Sequence, residues 1–153
     1  MLEHIKTAVA LAAEKVGDVE FCALDATRCE REFLKNAIEA AVENGAKTIS
    51  ICDNAAEMLP DAFADFIAEI KAETDAEICV SCDNKNGFAL AAATLSIKKG
   101  ADAVKTAISG NIVPLDIFSN MIRNCGNNFA LSARVKTTEI YRIAGQIGRI
   151  ISG

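Results

Sequence analysis

Residues 78–93 read Ile78-Cys79-Val80-Ser81-Cys82-Asp83-Asn84-Lys85-Asn86-Gly87-Phe88-Ala89-Leu90-Ala91-Ala92-Ala93. The first five carry no charge and fit a short strand buried on both faces, the pattern of parallel sheets. Asp83 to Gly87 is a run of turn formers. From Phe88 onward the chain is Ala-rich and opens a helix. Strand, polar turn and helix in that order make one βα unit. In parallel α/β sheets, ligands and catalytic groups gather where a strand's carboxyl end meets the next helix. Asp83 and Lys85 therefore stand where chemistry is expected.

The same unit recurs on both sides. An amphipathic helix over 2–16, with Leu2, Ile5, Val9, Ala12, Ala13 and Val16 at helical spacing, is stopped by Gly17-Asp18. A strand is expected from Val19 to Leu24, then Asp25-Ala26-Thr27-Arg28 and a helix over 29–44 closed by Asn44-Gly45. Lys47 to Cys52 is the second strand, ending in Asp53-Asn54, and Pro60 starts a helix running to Ala72. The third strand covers 77–82, and helix 87–99 stops at Gly100. A fourth strand over 103–108 leads into Ser109-Gly110-Asn111. Pro114 starts a helix to Asn124, stopped by Gly126. Residues 127–136 read as irregular. A last helix over 137–151 is capped by Thr137 or Thr138, with Glu139 in its first turn. Strands recur about every 27 residues, the spacing of βα units, and predict a parallel sheet with right-handed crossovers. The expected division is a helix plus four βα units over 1–126, then a linker and C-terminal helix over 127–153.

Bulk properties narrow the function. With 153 residues, 51% hydrophobic and 24% charged, the chain is long enough and apolar enough for one globular core. The net charge of −5, without a basic run, argues against nucleic-acid binding. Apolar runs are short and broken by charge, which argues against a membrane span. Met1-Leu2-Glu3-His4-Ile5-Lys6 mixes acidic and basic residues, unlike a signal peptide, so a cytoplasmic location is expected. Six cysteines are then expected to be free thiols. Cys79 and Cys82 lie three apart on a strand, where side chains alternate faces. They read as small buried hydrophobes rather than a zinc or redox pair.

Four segments carry a family resemblance. Val19-Glu20-Phe21-Cys22-Ala23-Leu24-Asp25-Ala26-Thr27-Arg28 resembles the fifth strand, V-E-F-S-x-E-D-A-x-R, of the metal-dependent TIM barrels of 2-isopropylmalate synthase, homocitrate synthase and hydroxymethylglutaryl-CoA lyase. Asn44 to Asn54 is similar to the sixth, A-G-A-x-T-I-x-x-P-D-T, and Val80 to Ala91 to the seventh, V-H-x-H-x-D-x-G-x-A-x-A. Lys99 to Asn111 is similar to the eighth strand and its G-E-R-x-G-N loop, here shortened to Ser109-Gly110-Asn111. Thr137 to Arg142 resembles the helix that follows the barrel in the synthases. Four motifs in the right order at the right spacing make a strong signal, and within the family the segments most resemble 2-isopropylmalate synthase.

The resemblance implies a (βα)4 half of a TIM barrel, preceded by one helix and followed by another. On this reading the first four strands, with an R-D-G motif that supplies an aspartate ligand and a catalytic arginine, are absent. Ligand positions are also altered. The two metal-binding histidines fall on Ser81 and Asp83, the aspartate after them on Lys85, the fifth-strand glutamate on Leu24, and the threonine that holds the 2-oxo acid on Asn54. A divalent cation needs several converging N or O ligands. Asp83 and Asn111 remain capable, but Ser81 is a poor ligand and Lys85 brings positive charge.

Asp25, Asp53 and Asp83 end successive strands and are expected at one rim, with Arg28, Asn54 and Lys85 beside them and Lys105 facing the same interior. They read either as a cation-binding remnant or as turn formers and caps. The lone histidine, His4, lies on the first helix and is expected at the surface, so no imidazole is available for acid–base work at the rim. Complete βα barrels take about 200–250 residues. Four strands would leave two bare edges and a concave face, expected to be apolar. A second copy, or a chain carrying the missing half, would close it. An open, flavodoxin-like sheet is the alternative. The expected function is a non-catalytic half-barrel that self-associates or serves as a binding module, with no cofactor in the isolated chain. The other reading is one subunit of a split enzyme that condenses acetyl-CoA with a 2-oxo acid, a partner supplying most of the divalent metal site.

Overall fold

The computed structural model describes residues 1–108, 110–132 and 134–152. In chain order the elements are α1 (Leu2–Ala13), β1 (Glu20–Ala23), α2 (Arg31–Glu43), β2 (Thr48–Asp53), α3 (Pro60–Ala72), β3 (Glu77–Cys82), α4 (Ala89–Lys98), β4 (Ala103–Val104), β5 (Thr106–Ala107), β6 (Val113–Pro114), α5 (Leu115–Cys125) and α6 (Thr137–Ser152). Short 3-10 turns cover Ala26–Arg28 and Gly126–Phe129.

β1 to β4 form one sheet in sequential order, every pair parallel. That order is the one a βα barrel produces when each helix carries the chain to the next strand. It excludes the flavodoxin-like alternative, in which strand order reverses at a switch point. The fold is α/β, the (βα)4 half of a TIM barrel.

Local chemistry explains the boundaries. Pro60 occupies the first turn of α3, where its missing N–H costs nothing. α2 ends at Asn44-Gly45, with the Gly45 N–H on the Val42 carbonyl (3.1 Å) and the Ala46 N–H on that of Ala41 (3.0 Å). Gly45 has φ of 109°, and a Cβ there would stand 2.8 Å from the Ala13 Cβ, so α1 can cross this corner only over glycine. Ile49, Ile51, Ile78, Val80 and Cys82 face the helices and pack with Phe63, Phe66 and Ile67 of α3 and Ala92 and Ala93 of α4 in one buried cluster. Among the described residues, no helix is long and apolar enough to cross a membrane.

Four expectations change. α1 ends at Ala13 rather than at 16. The strand expected over 103–108 breaks in two. β4 pairs with β3 only at Cys79↔Ala103 and Val80↔Val104, and β5 pairs instead with β6. The cause is the segment after β5, which folds back on the end of β3. The Asn84 N–H donates to the Asn111 carbonyl (2.8 Å), and Asp83 bridges Ile112. Thr137 does not cap α6 with its hydroxyl. That oxygen accepts from Arg123 Nη1 (3.0 Å), while the Lys136 carbonyl takes the Glu139 and Ile140 N–H groups.

The fourth change concerns the concave face. Alternation along the strands puts the branched apolar residues under the helices and leaves Glu20, Cys22, Ser50, Cys52, Cys79 and Ser81 on the other side. The inner wall is therefore polar and thiol-bearing, not apolar.

All six cysteines are free. Burial penalises the thiolate, so Cys52 is pushed up to about 11 and Cys82 to about 12, and Cys79 is also raised. Alkylation at pH 8 is therefore expected to label the exposed Cys125 first. Cys52, Cys79 and Cys82 should react at least about tenfold more slowly until urea is added. Peptide mass spectrometry over a time course reads this directly, and equal rates would contradict the packing.

Candidate functional site

The carboxyl ends of the first three strands form a polar rim. Asp25 follows β1 in a left-handed conformation (φ 56°), which aspartate tolerates. Its N–H donates to Asn54 Oδ1 (2.8 Å), tying the first strand end to the second. Arg28 Nε donates to both Asp25 oxygens (3.1 and 2.9 Å), and its Nη2 also reaches Oδ2. The guanidinium holds the Asp25 carboxyl below its usual range.

Asp53, at the end of β2, is buried. Its Oδ1 accepts from the Thr27 hydroxyl (2.8 Å) and from the Ala56 N–H (3.2 Å). Ala56 has φ of 56°, an unfavourable region for alanine. Asp53 pins that turn, and Asn86 Nδ2 holds the Ala56 carbonyl (2.9 Å).

Asp83, just past β3, has a side chain only 16% exposed. Its Oδ1 accepts from Asn111 Nδ2 (2.7 Å) and from the Lys85 N–H (2.9 Å), and Lys85 Nζ stands 3.8 Å from Oδ2. That ammonium donates to the Asn54 carbonyl (2.9 Å). Asn84 Oδ1 takes the Ala89 N–H (3.2 Å) at the start of α4. Asp25, Arg28, Asp53, Asn54, Asp83, Lys85 and Asn111 thus share one rim. Ser109 of the shortened loop lies outside the described residues. Leu24 is 72% exposed, and His4 is exposed on α1.

Lys105 is not at this rim. It points across the concave face and pairs with Glu20 of β1, Nζ to Oε1 2.6 Å. Glu20 also accepts from the Ser50 hydroxyl. A flat four-stranded sheet would hold its edge strands about 14 Å apart, so the pair meets because the sheet curls toward this face. Bonding to Lys105 and then to Ser50 lowers the Glu20 carboxyl, and bonding to Glu20 raises the Lys105 ammonium.

The rim does not suit a hard divalent cation. Asp83 is the one carboxylate at the altered ligand positions, and an ammonium sits at its second oxygen. The Asn111 amide turns its nitrogen, not its oxygen, toward Asp83. Among the described residues, no three His, Cys, Asp or Glu side chains converge as ligands.

Sequence reasoning missed Thr27, Asn86 and Glu20. The last left a trace: Glu20 and Cys22 alternate on one face as Ser50 and Cys52, and Cys79 and Ser81, do.

A family model described as HMGL-like matches residues 1–147. The 2-isopropylmalate synthase of Caulobacter vibrioides (strain NA1000 / CB15N) is 40% identical over 114 residues, covering 72% of this chain and 22% of that protein. That of Carboxydothermus hydrogenoformans is 32% identical over 166 residues, covering 98% and 31%. This chain thus spans 22–31% of the length of those relatives. Its fold is similar to that of Bacillus subtilis HMG-CoA lyase, with TM-score 0.79 at 16% identity over 99% of this chain and 55% of the other. It is also similar to the carboxyl transferase domain of Rhizobium etli pyruvate carboxylase, solved with pyruvate, with TM-score 0.72 at 20% identity over 94% and 26%. These two are likenesses of fold alone. The matched family model over 1–147, together with the synthase matches, establishes that the chain belongs to the HMGL-like family.

Proposed function

We propose that this chain is a non-catalytic half-barrel module of the 2-isopropylmalate synthase type that works by association rather than turnover. The observation supporting this reading is the engagement of the rim carboxylates. Asp25 is held by Arg28, Asp53 by Thr27 and Ala56, and Asp83 by Asn111 and Lys85. Each acid placed to grip a cation or move a proton instead fastens a turn. The lone imidazole, on His4, is on the outer helix α1.

Calorimetric titration with Mn²⁺ is the test. Saturable binding tighter than about 1 mM is not expected, and neither is release of free thiol from acetyl-CoA with any 2-oxo acid. Stoichiometric micromolar binding that Asp83→Asn abolishes would sink the proposal.

A second reading keeps catalysis but divides it between chains. The 40% identity to a 2-isopropylmalate synthase over 114 residues favours it. A partner would then supply the remaining strands and most ligands and acid–base groups. Claisen-type condensation of acetyl-CoA with a 2-oxo acid on mixing the two chains with a divalent metal would establish it.

A further inference from the structure

We infer that the concave face is the interface with a second copy of this chain, and that Glu20 and Lys105 are the residues that pair across it. The inference rests on the associating-module reading above and names its partner and contact.

Sheet topology comes first. β1 and β4 are the two edges of a four-stranded, all-parallel sheet. A two-fold axis along the curled sheet sets β4 of each copy beside β1 of the other. Both junctions are then parallel, as every pair inside the sheet is, and eight strands close without a free edge. One kind of contact, used twice, satisfies both edges.

Charge supplies the second argument. Glu20 lies on the edge strand β1, and Lys105 directly follows the edge strand β4. Closure therefore brings an acidic edge to a basic edge at both junctions. Both side chains already point into the shared interior, since they meet within one chain at 2.6 Å. They remain 38% and 35% exposed, so a covering surface must desolvate them, which is costly unless opposite charges are supplied. Two copies bring two carboxylates and two ammonium groups, a neutral set in which each Lys105 can exchange its own Glu20 for that of the partner. Between the charged residues lie Ser50, Cys52 and Cys79, small and buried. Glu77, on the same face, stands lower at the amino end of β3, where it accepts from Thr48 (3.4 Å).

The experiment is a charge exchange read by sedimentation velocity and native mass spectrometry at micromolar concentration. Wild type is expected to be a dimer. Glu20→Lys alone places four lysines in the interior and Lys105→Glu alone four glutamates, so each is expected to be monomeric. An equimolar mixture of the two variants is expected to form heterodimer within about tenfold of the wild-type Kd, since every acid again faces a base. If either variant is unfolded alone, the two are co-expressed with different tags, and co-purification of a folded pair is the expected result. A monomeric wild type defeats the associating reading and this inference together. A dimeric wild type whose single variants stay dimeric, or a mixture or co-expression without heterodimer, defeats the inference alone. A purely internal ion pair would leave each variant's repulsion uncured by its complement.

Discussion

Phe63→Ala is expected to cost about 3–5 kcal/mol, the largest effect of any single truncation considered. Phe63 is fully buried on the inner side of α3 and stacks on Phe66, with centroids 6.3 Å apart and planes 19° apart. It packs in the cluster that holds Ile49, Ile51 and Ile78, the residues that fasten helices to sheet. Alanine there loses the transfer energy of the ring and leaves a cavity that a parallel sheet cannot close, because its strands are locked in register on both sides. Against a total stability of about 5–15 kcal/mol, this loss should lower Tm by roughly 6–20 °C. Phe63→Leu keeps most of the volume and should cost under about 2 kcal/mol. Urea unfolding monitored by circular dichroism checks both. A Phe63→Ala loss below about 1 kcal/mol would mean that the core is centred elsewhere.

Asp53→Ala comes next. Removing this carboxylate orphans two donors, the Thr27 hydroxyl and the Ala56 N–H. At about 1–3 kcal/mol for the buried Ala56 N–H and about 1 kcal/mol for the part-buried Thr27 hydroxyl, a total of about 2–4 kcal/mol is expected. The Ala56 turn should suffer first, since its positive φ is held at the N–H by Asp53 and the Asn86 bond to its carbonyl remains alone. Limited proteolysis should then cut within residues 54–59, where wild type resists. Asp53→Asn keeps an acceptor at the same position and should recover at least about half of the loss. Asp25→Asn, which removes the charge but keeps a residue that tolerates φ of 56°, is the contrast. Its partner Arg28 and the acid itself are solvent-exposed, so little change in stability is expected there. If Asp53→Ala and Asp25→Asn behave alike, the rim is not knitted as described.

The rim was half legible in the chain. Asp25, Asp53 and Asp83 each follow an apolar run and precede a helix, so their common height could be read directly. What each one holds could not. Asp53 reaches Thr27 of the previous turn, and Lys85 donates to the Asn54 carbonyl as well as standing near Asp83. These choices depend on how far each turn leans over its neighbour. Lys105 is the clearest case. Its place on the expected fourth strand suggested a side chain facing the interior beside the rim, but that its partner is Glu20 on the far edge follows from the sheet's curl. The fourth strand is a related example. The β-rich run 103–108 has strand character throughout, but Asn111 and Ile112 fold back onto the end of β3 and shorten the pairing.

The third strand, 77–82, and the helix over 60–72 have the bounds their residues predict. An apolar run bounded by turn formers, or a proline followed by helical spacing, is a local signal that needs no partner. By such signals the sequence alone determined the alternation of strands and helices and the parallel sheet. Tertiary structure alone decided the polar character of the inner wall, the donors that occupy each rim carboxylate and the ion pair from edge to edge. Those contacts join residues distant in the chain through strand register and curvature, which no local pattern encodes.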